Sequence, residues 1–144
     1  MRIYHLLSSE HAISNIELNR MKIARYGDLN DPFELMASDL SDKDIRRAVG
    51  VLKKQFHKNR GLLCFSKSWH NPVIWSHYAD KHHGIALGFD VHDEFVAPIK
   101  YRASRLPVKF KKNNKQGGLD SAFVNNLLYT KYKHWNYEEE VRLH

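Results

Sequence analysis

Asn71-Pro72-Val73-Ile74-Trp75-Ser76-His77-Tyr78-Ala79-Asp80-Lys81-His82-His83-Gly84-Ile85-Ala86-Leu87-Gly88-Phe89-Asp90 carries both kinds of regular structure in one stretch. Asn71 can accept from the free N–H groups of a first helical turn, and Pro72 fits that turn because its missing N–H is not needed there. The helix so predicted runs through Val73, Ile74, Trp75, Tyr78 and Ala79. Gly84 to Phe89 reads as a buried strand, ended by Asp90.

The same alternation extends to both sides. Toward the N-terminus, Gly61 to Phe65 is a second buried strand by length and content. Before it, Ser41-Asp42-Lys43-Asp44 is a helix cap, followed by Ile45, Ala48, Val49, Leu52 and Phe56 at helical spacing, with Arg46, Arg47, Lys53 and Lys54 mostly on the other side. Gly27 to Pro32 is a turn, and Pro32 keeps Asp31 out of helical conformation. Met21 to Arg25 alternates as a short strand. A helix capped at Ser8-Ser9-Glu10 is expected to reach about Arg20 and to bury Ile13, Ile16 and Leu18. Arg2 to Leu7 is a first strand with Ile3, His5 and Leu7 on one face.

Toward the C-terminus, Ala97 to Arg102 and Pro107 to Phe110 have strand character. Lys111 to Gly118 has the composition of a loop. Asp120 can cap a helix holding Ala122, Phe123, Leu127 and Leu128, and Glu138 to Leu143 closes the chain as a strand. The fold class is α+β, with small mixed or antiparallel sheets and flanking helices in a single domain spanning 1–144.

Composition sets the setting. The 144 residues are 42% hydrophobic and 27% charged, which suits one globular domain with a core of its own. A net charge of +7 favours polyanionic partners or a solvated basic face. One cysteine, Cys64, excludes an internal disulfide, and its apolar neighbours predict a buried, inert thiol. No apolar run approaches the ~18 residues of a membrane span. The start, Met1-Arg2-Ile3-Tyr4-His5, lacks a secretory segment, so a cytoplasmic protein with no membrane partner is expected.

Several residues could carry chemistry. On a regular strand Glu138, Glu140 and Arg142 share a face. Two such carboxylates can accept from sugar hydroxyls and stabilise developing positive charge, or can simply keep an edge strand soluble. Ser66 and Ser68 end a buried strand just before a helix, where their hydroxyls can hold a ribose or cap a turn. His5 on the first strand can bond a ribose hydroxyl or be an ordinary half-buried polar group. Trp75 and Tyr78 share a helix face and should pack together, while His77 and Asp80 could pair. Asn30-Asp31-Pro32-Phe33-Glu34 is a polar turn in which Asn30 and Asp31 are candidate binding residues and Phe33 an anchor to the core. The histidines lack H-E-x-x-H or paired-cysteine spacing, so no metal site is expected.

Four segments together resemble the bacterial and phage family called domain of unknown function 2971. They are Asn30-Asp31-Pro32-Phe33-Glu34, Cys64-Phe65-Ser66, Trp75-Ser76-His77-Tyr78-Ala79-Asp80 with His82 and Gly84 to Asp90, and Trp135-Asn136-Tyr137-Glu138-Glu139-Glu140-Val141-Arg142. Members of that family usually continue past the last motif. The resemblance therefore implies that a chain ending at His144 is a compact form or lacks a C-terminal segment. Taken in order, His5, Ser66 with Ser68, Tyr78 and Glu138-Glu139-Glu140-Val141 are also similar to the ADP-ribosyltransferase plan. That likeness implies NAD as substrate. Glu140 then holds a ribose hydroxyl, Glu138 orients the acceptor, His5 and Ser66 position ribose and nicotinamide, and Tyr78 stacks on the ring.

Three functions follow as expectations. The first is an NAD-dependent ADP-ribosyltransferase-like enzyme acting on a protein or nucleic-acid target, a toxin or effector in conflict between bacterium and phage. The second, from the basic charge, is a nucleic-acid-acting protein such as a ribonuclease-type toxin. The third is a non-catalytic phage-type inhibitor that binds a nucleic-acid-handling machine.

Overall fold

The structure is a computed structural model that describes residues 1–108 and 119–143. The expected loop at 111–118 and the end of the expected strand at 107–110 lie outside the described residues. Helices flank small, mostly antiparallel sheets, which makes the fold α+β. The described residues group into two compact units, each built from separated segments. One holds Met1–Ala24, Leu62–Ile99 and Trp135–His144, and the other holds Arg25–Gly61 and Lys100–His134.

The first unit is a five-stranded sheet with helices. Its strands are β1 (Arg2–Leu7), β4 (Cys64–Ser66), β5 (Ile85–Asp90), β6 (Val96–Pro98) and β9 (Glu140–Leu143), in the order β5-β1-β4-β9-β6. Every neighbouring pair is antiparallel. Two short strands, β2 (Ala24–Arg25) and β3 (Gly61–Leu62), pair where the chain passes between units. The single strand expected over Gly61 to Phe65 is thus divided, with Leu63 belonging to neither piece. The expected strand over Met21 to Arg25 shrinks to β2.

Register decides which side chains meet. Tyr4 lies opposite Ser66, and Ser66 lies opposite Glu140. Directly paired residues project to the same side of an antiparallel sheet. One face therefore carries Tyr4, Leu6, Ser66, Glu140 and Arg142, and the other carries Ile3, His5, Phe65 and Val141. On the second face Ile3, Phe65 and Val141 form a buried cluster extended by Phe89, Val96 and Leu143. On the first, Leu6 packs with Ile74 and Ala79, against which Tyr4, Trp75, Tyr78, Ala86 and Tyr137 close.

Helix α1 (Ser9–Glu17) is capped by Ser8, whose hydroxyl accepts from the His11 N–H. Its buried residue is Ala12, while Ile13 and Ile16 stay exposed, as does Leu18 beyond its end. The expectation that these three would be buried is corrected. Helical spacing identifies a shared face, but here the small Ala12 side admits close approach to the sheet. Helix α3 (Pro72–Tyr78) begins as the sequence requires, with Asn71 accepting from the Val73 N–H at 2.9 Å. Asp80, Lys81 and His82 then adopt left-handed φ values of 46°, 52° and 73°. This tight reversal brings Gly84 against the carbonyl of Leu7, where any Cβ would sit 2.2 Å from the oxygen. Only glycine fits there.

In the second unit α2 (Lys43–Asn59) starts at Asp42, whose carboxylate accepts from the N–H groups of Asp44 and Ile45. Val49 and Phe56 are its buried residues. Helix α4 (Ser121–Leu128) is capped by Asp120 and buries Phe123 and Leu127. Strands β7 (Lys100–Arg102) and β8 (Thr130–Tyr132) pair in parallel, with Arg102 beside Tyr132. Among the described residues, no helix is long and apolar enough to cross a membrane.

Candidate functional site

The last strand begins later than its alternation predicts. Glu138 ends a 3₁₀ helix over Lys133–Glu138, and β9 starts only at Glu140. Between them Glu139 has a left-handed φ of 43°, an uncommon conformation for a residue with a Cβ. Its backbone is held on both sides: its N–H donates to Asn136, and its carbonyl accepts from the N–H of Lys67 at 3.1 Å. Glu138 and Glu140 are therefore not two alternating residues of one strand. Both are nonetheless buried, each only 4% exposed.

Each carboxylate is held by a named donor. Arg142 donates from Nε to Glu140 at 2.6 Å, and the arginine is 1% exposed. The Tyr78 hydroxyl donates to Glu138. Charged groups lose their water on burial at a cost of several kcal/mol each, so close ionic and hydrogen-bonded partners are what make such a cluster tolerable.

The Ser66–Ser68 segment lies beside this cluster. Ser66 is the direct cross-strand neighbour of Glu140 and is itself buried. Its hydroxyl donates to the Ser68 carbonyl at 2.6 Å and accepts from the Ser68 N–H at 3.1 Å. The Ser68 hydroxyl in turn accepts from the His70 N–H at 3.2 Å. These serines build a turn. That turn presents Trp69, exposed and stacked on the His70 ring at 4.3 Å between centroids, with its carbonyl accepting from Trp75 Nε1 at 2.5 Å. Sequence reasoning passed over Trp69. Its signal was an aromatic placed between a Ser-x-Ser pair and a helix cap.

His5 does not join the cluster. Register puts it on the opposite sheet face from Ser66 and Glu140. Its ring packs on Phe65 at 5.5 Å, and Nδ1 makes a 3.0 Å hydrogen bond with the Cys64 carbonyl. Burial holds its pKa below the ordinary 6.5, against the opposing pull of that carbonyl. Cys64 is half-buried rather than fully enclosed, which corrects the expected burial of its thiol.

His77 is exposed on α3 and touches the rings of Tyr78, Trp135 and Tyr137 at 6.1–6.4 Å. The expected His77–Asp80 pair is not formed, because Asp80 has left the helix for the left-handed turn. Trp75 and Tyr78 pack into the core as their spacing predicts. Tyr78 is tied at both ends, by its ring to that core and by its hydroxyl to Glu138.

Asn30 and Asp31 belong to the second unit. Asn30 is exposed. Asp31 is buried and accepts from the Phe33 N–H at 2.8 Å, a local turn bond. Phe33 does not anchor the motif to the core: it is 64% exposed. The buried members are Asp31 and Glu34. Among the described residues no group of three or more potential metal ligands forms.

Residues 74–143 match the model of the family described as "Protein of unknown function (DUF2971)". The match bears out the resemblance carried by the central and last motifs, and it covers pieces of both units. No curated protein and no solved structure matches the chain.

Proposed function

We propose that the first unit cleaves the nicotinamide–ribose bond of NAD and passes ADP-ribose to water or to a protein or nucleic-acid nucleophile, as an enzyme of the ADP-ribosyltransferase type. One observation carries the reading: two buried carboxylates, Glu138 and Glu140, flank a left-handed residue on a sheet whose neighbouring strand sets Ser66 against Glu140. Burial of two acidic groups so close in sequence, with a left-handed residue between them, supports the reading of a functional site over that of an edge strand kept soluble by charge.

The chemistry needs such a carboxylate. As the C1′–N bond breaks, its electron pair leaves with nicotinamide, which departs neutral. The ribose is left with positive charge shared between C1′ and the ring oxygen. A fixed carboxylate stabilises that state more than the ground state, and fixation costs no reorganisation during the reaction. Glu140, oriented by Arg142, has that role and accepts from a ribose hydroxyl. Glu138, oriented by Tyr78, lines up the attacking nucleophile, whose O–H or N–H proton is released as its new bond to C1′ forms. The Ser66–Ser68 turn, beside Glu140, is the side of the site to which this reading assigns the ribose. Trp69 on that turn, exposed and stacked on His70, is the ring this reading assigns to nicotinamide in place of the anchored Tyr78. His5, on the other sheet face, has no part in it.

The test is nicotinamide release from NAD by the purified chain. Release should fall about 100-fold or more in Glu140→Gln, a loss of the size seen when one transition-state contact is removed. Glu138→Gln should lose transfer to a nucleophile. A chain that neither binds nor turns over NAD removes the reading, as does undiminished activity in both variants.

A further inference from the structure

The second unit holds a cavity of about 370 Å³, made from residues other than those of the carboxylate cluster. Among the described residues, Phe33, Arg102, Arg105, Lys131 and Tyr132 are the members of its wall that bear charge or a ring. Among the described residues no acidic one lines it. From this we infer a binding site for a single nucleoside monophosphate unit, independent of the NAD chemistry of the first unit.

The cations come first. Lys131 is buried and its ammonium lies 4.0 Å from the buried Glu34 carboxylate, so its charge is answered within the fold. Arg102 and Arg105 are different: both are exposed, and among the described residues neither has an ion-pair partner within 4.0 Å. Arg105 acts on the Asp39 carboxylate, which already accepts from the Ser41 N–H at 2.9 Å. Two guanidinium forks at one rim match the oxygens of a phosphate, which they can bond bidentately.

The rings supply the second half. Phe33 is 64% exposed and Tyr132 51% exposed, large apolar surfaces left in water beside the two arginines. A base has a π-face that stacks on such rings whatever its identity. Parallel pairing of β7 and β8 sets Arg102 directly beside Tyr132, so a phosphate contact and a base contact arise from adjacent strands. The tyrosine ring is itself braced by His134 at 4.8 Å. Size narrows the ligand. The volume lies near the lower end of roughly 300–1,000 Å³ for small-molecule sites, which suits one nucleotide and is too small for a whole dinucleotide.

This gives a use to the Asn30–Glu34 motif. Asp31 fixes the turn through the Phe33 N–H, Glu34 holds Lys131, and Phe33 between them is turned out to the cavity.

The experiment is calorimetric titration of the full chain with AMP, with adenosine, inorganic phosphate, phosphotyrosine and an adenylate trinucleotide as parallel arms. AMP should bind saturably, and adenosine and phosphate at least ten-fold more weakly. Arg102→Ala and Arg105→Ala should each weaken AMP binding ten-fold or more, and Tyr132→Ala or Phe33→Ala several-fold. All four side chains are exposed, so the variants should keep the parent far-ultraviolet circular dichroism and thermal unfolding midpoint. A trinucleotide that binds more tightly than AMP identifies a nucleic-acid strand as the natural source. AMP equal or tighter identifies the free nucleotide. Phosphate or phosphotyrosine binding as tightly as AMP overturns the assignment. So does AMP binding that is absent at millimolar concentration or unchanged in both arginine variants.

Discussion

At the scale of single residues, the Glu140–Arg142 pair bears the greatest weight. Both groups are out of water and joined at 2.6 Å. Arg142→Ala should therefore cost about 3–5 kcal/mol by leaving a buried carboxylate without its guanidinium, measured as the shift in urea midpoint. The double variant Arg142→Met with Glu140→Leu should recover much of that loss, because an apolar pair of similar volume avoids desolvation altogether. Recovered stability with no nicotinamide release separates the structural from the chemical role of the pair. His5 gives a second prediction. Its pKa is lowered in the folded chain, chiefly by burial, so the unfolded chain takes up a proton first as pH falls. Stability from this group is complete above the ordinary value of 6.5 and declines as the pH drops below it toward the folded value. Denaturation midpoints at pH 7.5 and 5 should show a smaller drop in His5→Asn than in the parent.

At the scale of elements, the reversal from α3 to β5 is the most constrained local feature. Three consecutive left-handed residues, none of them glycine, lead into a glycine pressed on the backbone of β1. Left-handed conformation costs a residue with a Cβ roughly 1–2 kcal/mol. Lys81→Gly should thus stabilise the chain by up to about 1 kcal/mol, and Gly84→Ala should destabilise it by about 1–3 kcal/mol or more, both read from thermal unfolding. Much of this level was legible in the sequence. The caps Ser8, Asp42, Asn71 and Asp120 all start the helices they were expected to start, because a side-chain acceptor followed by an apolar periodic run is a local signal. What the local signals lacked was direction. The face of α1 that meets the sheet is set by Ala12, not by its larger apolar residues. The left-handed turn at Glu139, with no glycine or asparagine to mark it, broke the expected alternation of Glu138 with Glu140.

At the scale of the whole molecule, the candidate site depends on strand register, which the sequence does not state. Alternation within β1 correctly grouped His5 with Ile3, yet it could not tell that Ser66 would lie opposite Tyr4. One residue of register moved His5 to the far side of the sheet from the carboxylates. Conversely, the partners of Glu138 and Glu140 come from α3 and from within β9, and the motif order had named Tyr78 only as a ring for nicotinamide, not as the donor to Glu138. The second unit was less legible still. Its cavity is made by residues read in sequence as a turn and a strand end, and by a strand, β8, that the sequence did not mark. The net charge of +7 also has a whole-molecule consequence. Non-specific adsorption to nucleic acid should weaken steeply with added salt, whereas AMP binding through two arginines should fall with a shallower slope, both measurable by titration at several salt concentrations.

The measurement that bears most directly on the buried carboxylates is the rate at which nicotinamide-labelled NAD loses its label, compared between the parent chain, Glu140→Asp and Glu140→Gln. We predict turnover by the parent, a partial loss in the shortened acid and near-complete loss in the amide. Label release by the parent no faster than in buffer alone, with all three chains folded, would contradict the assignment of glycosidic-bond chemistry to this site.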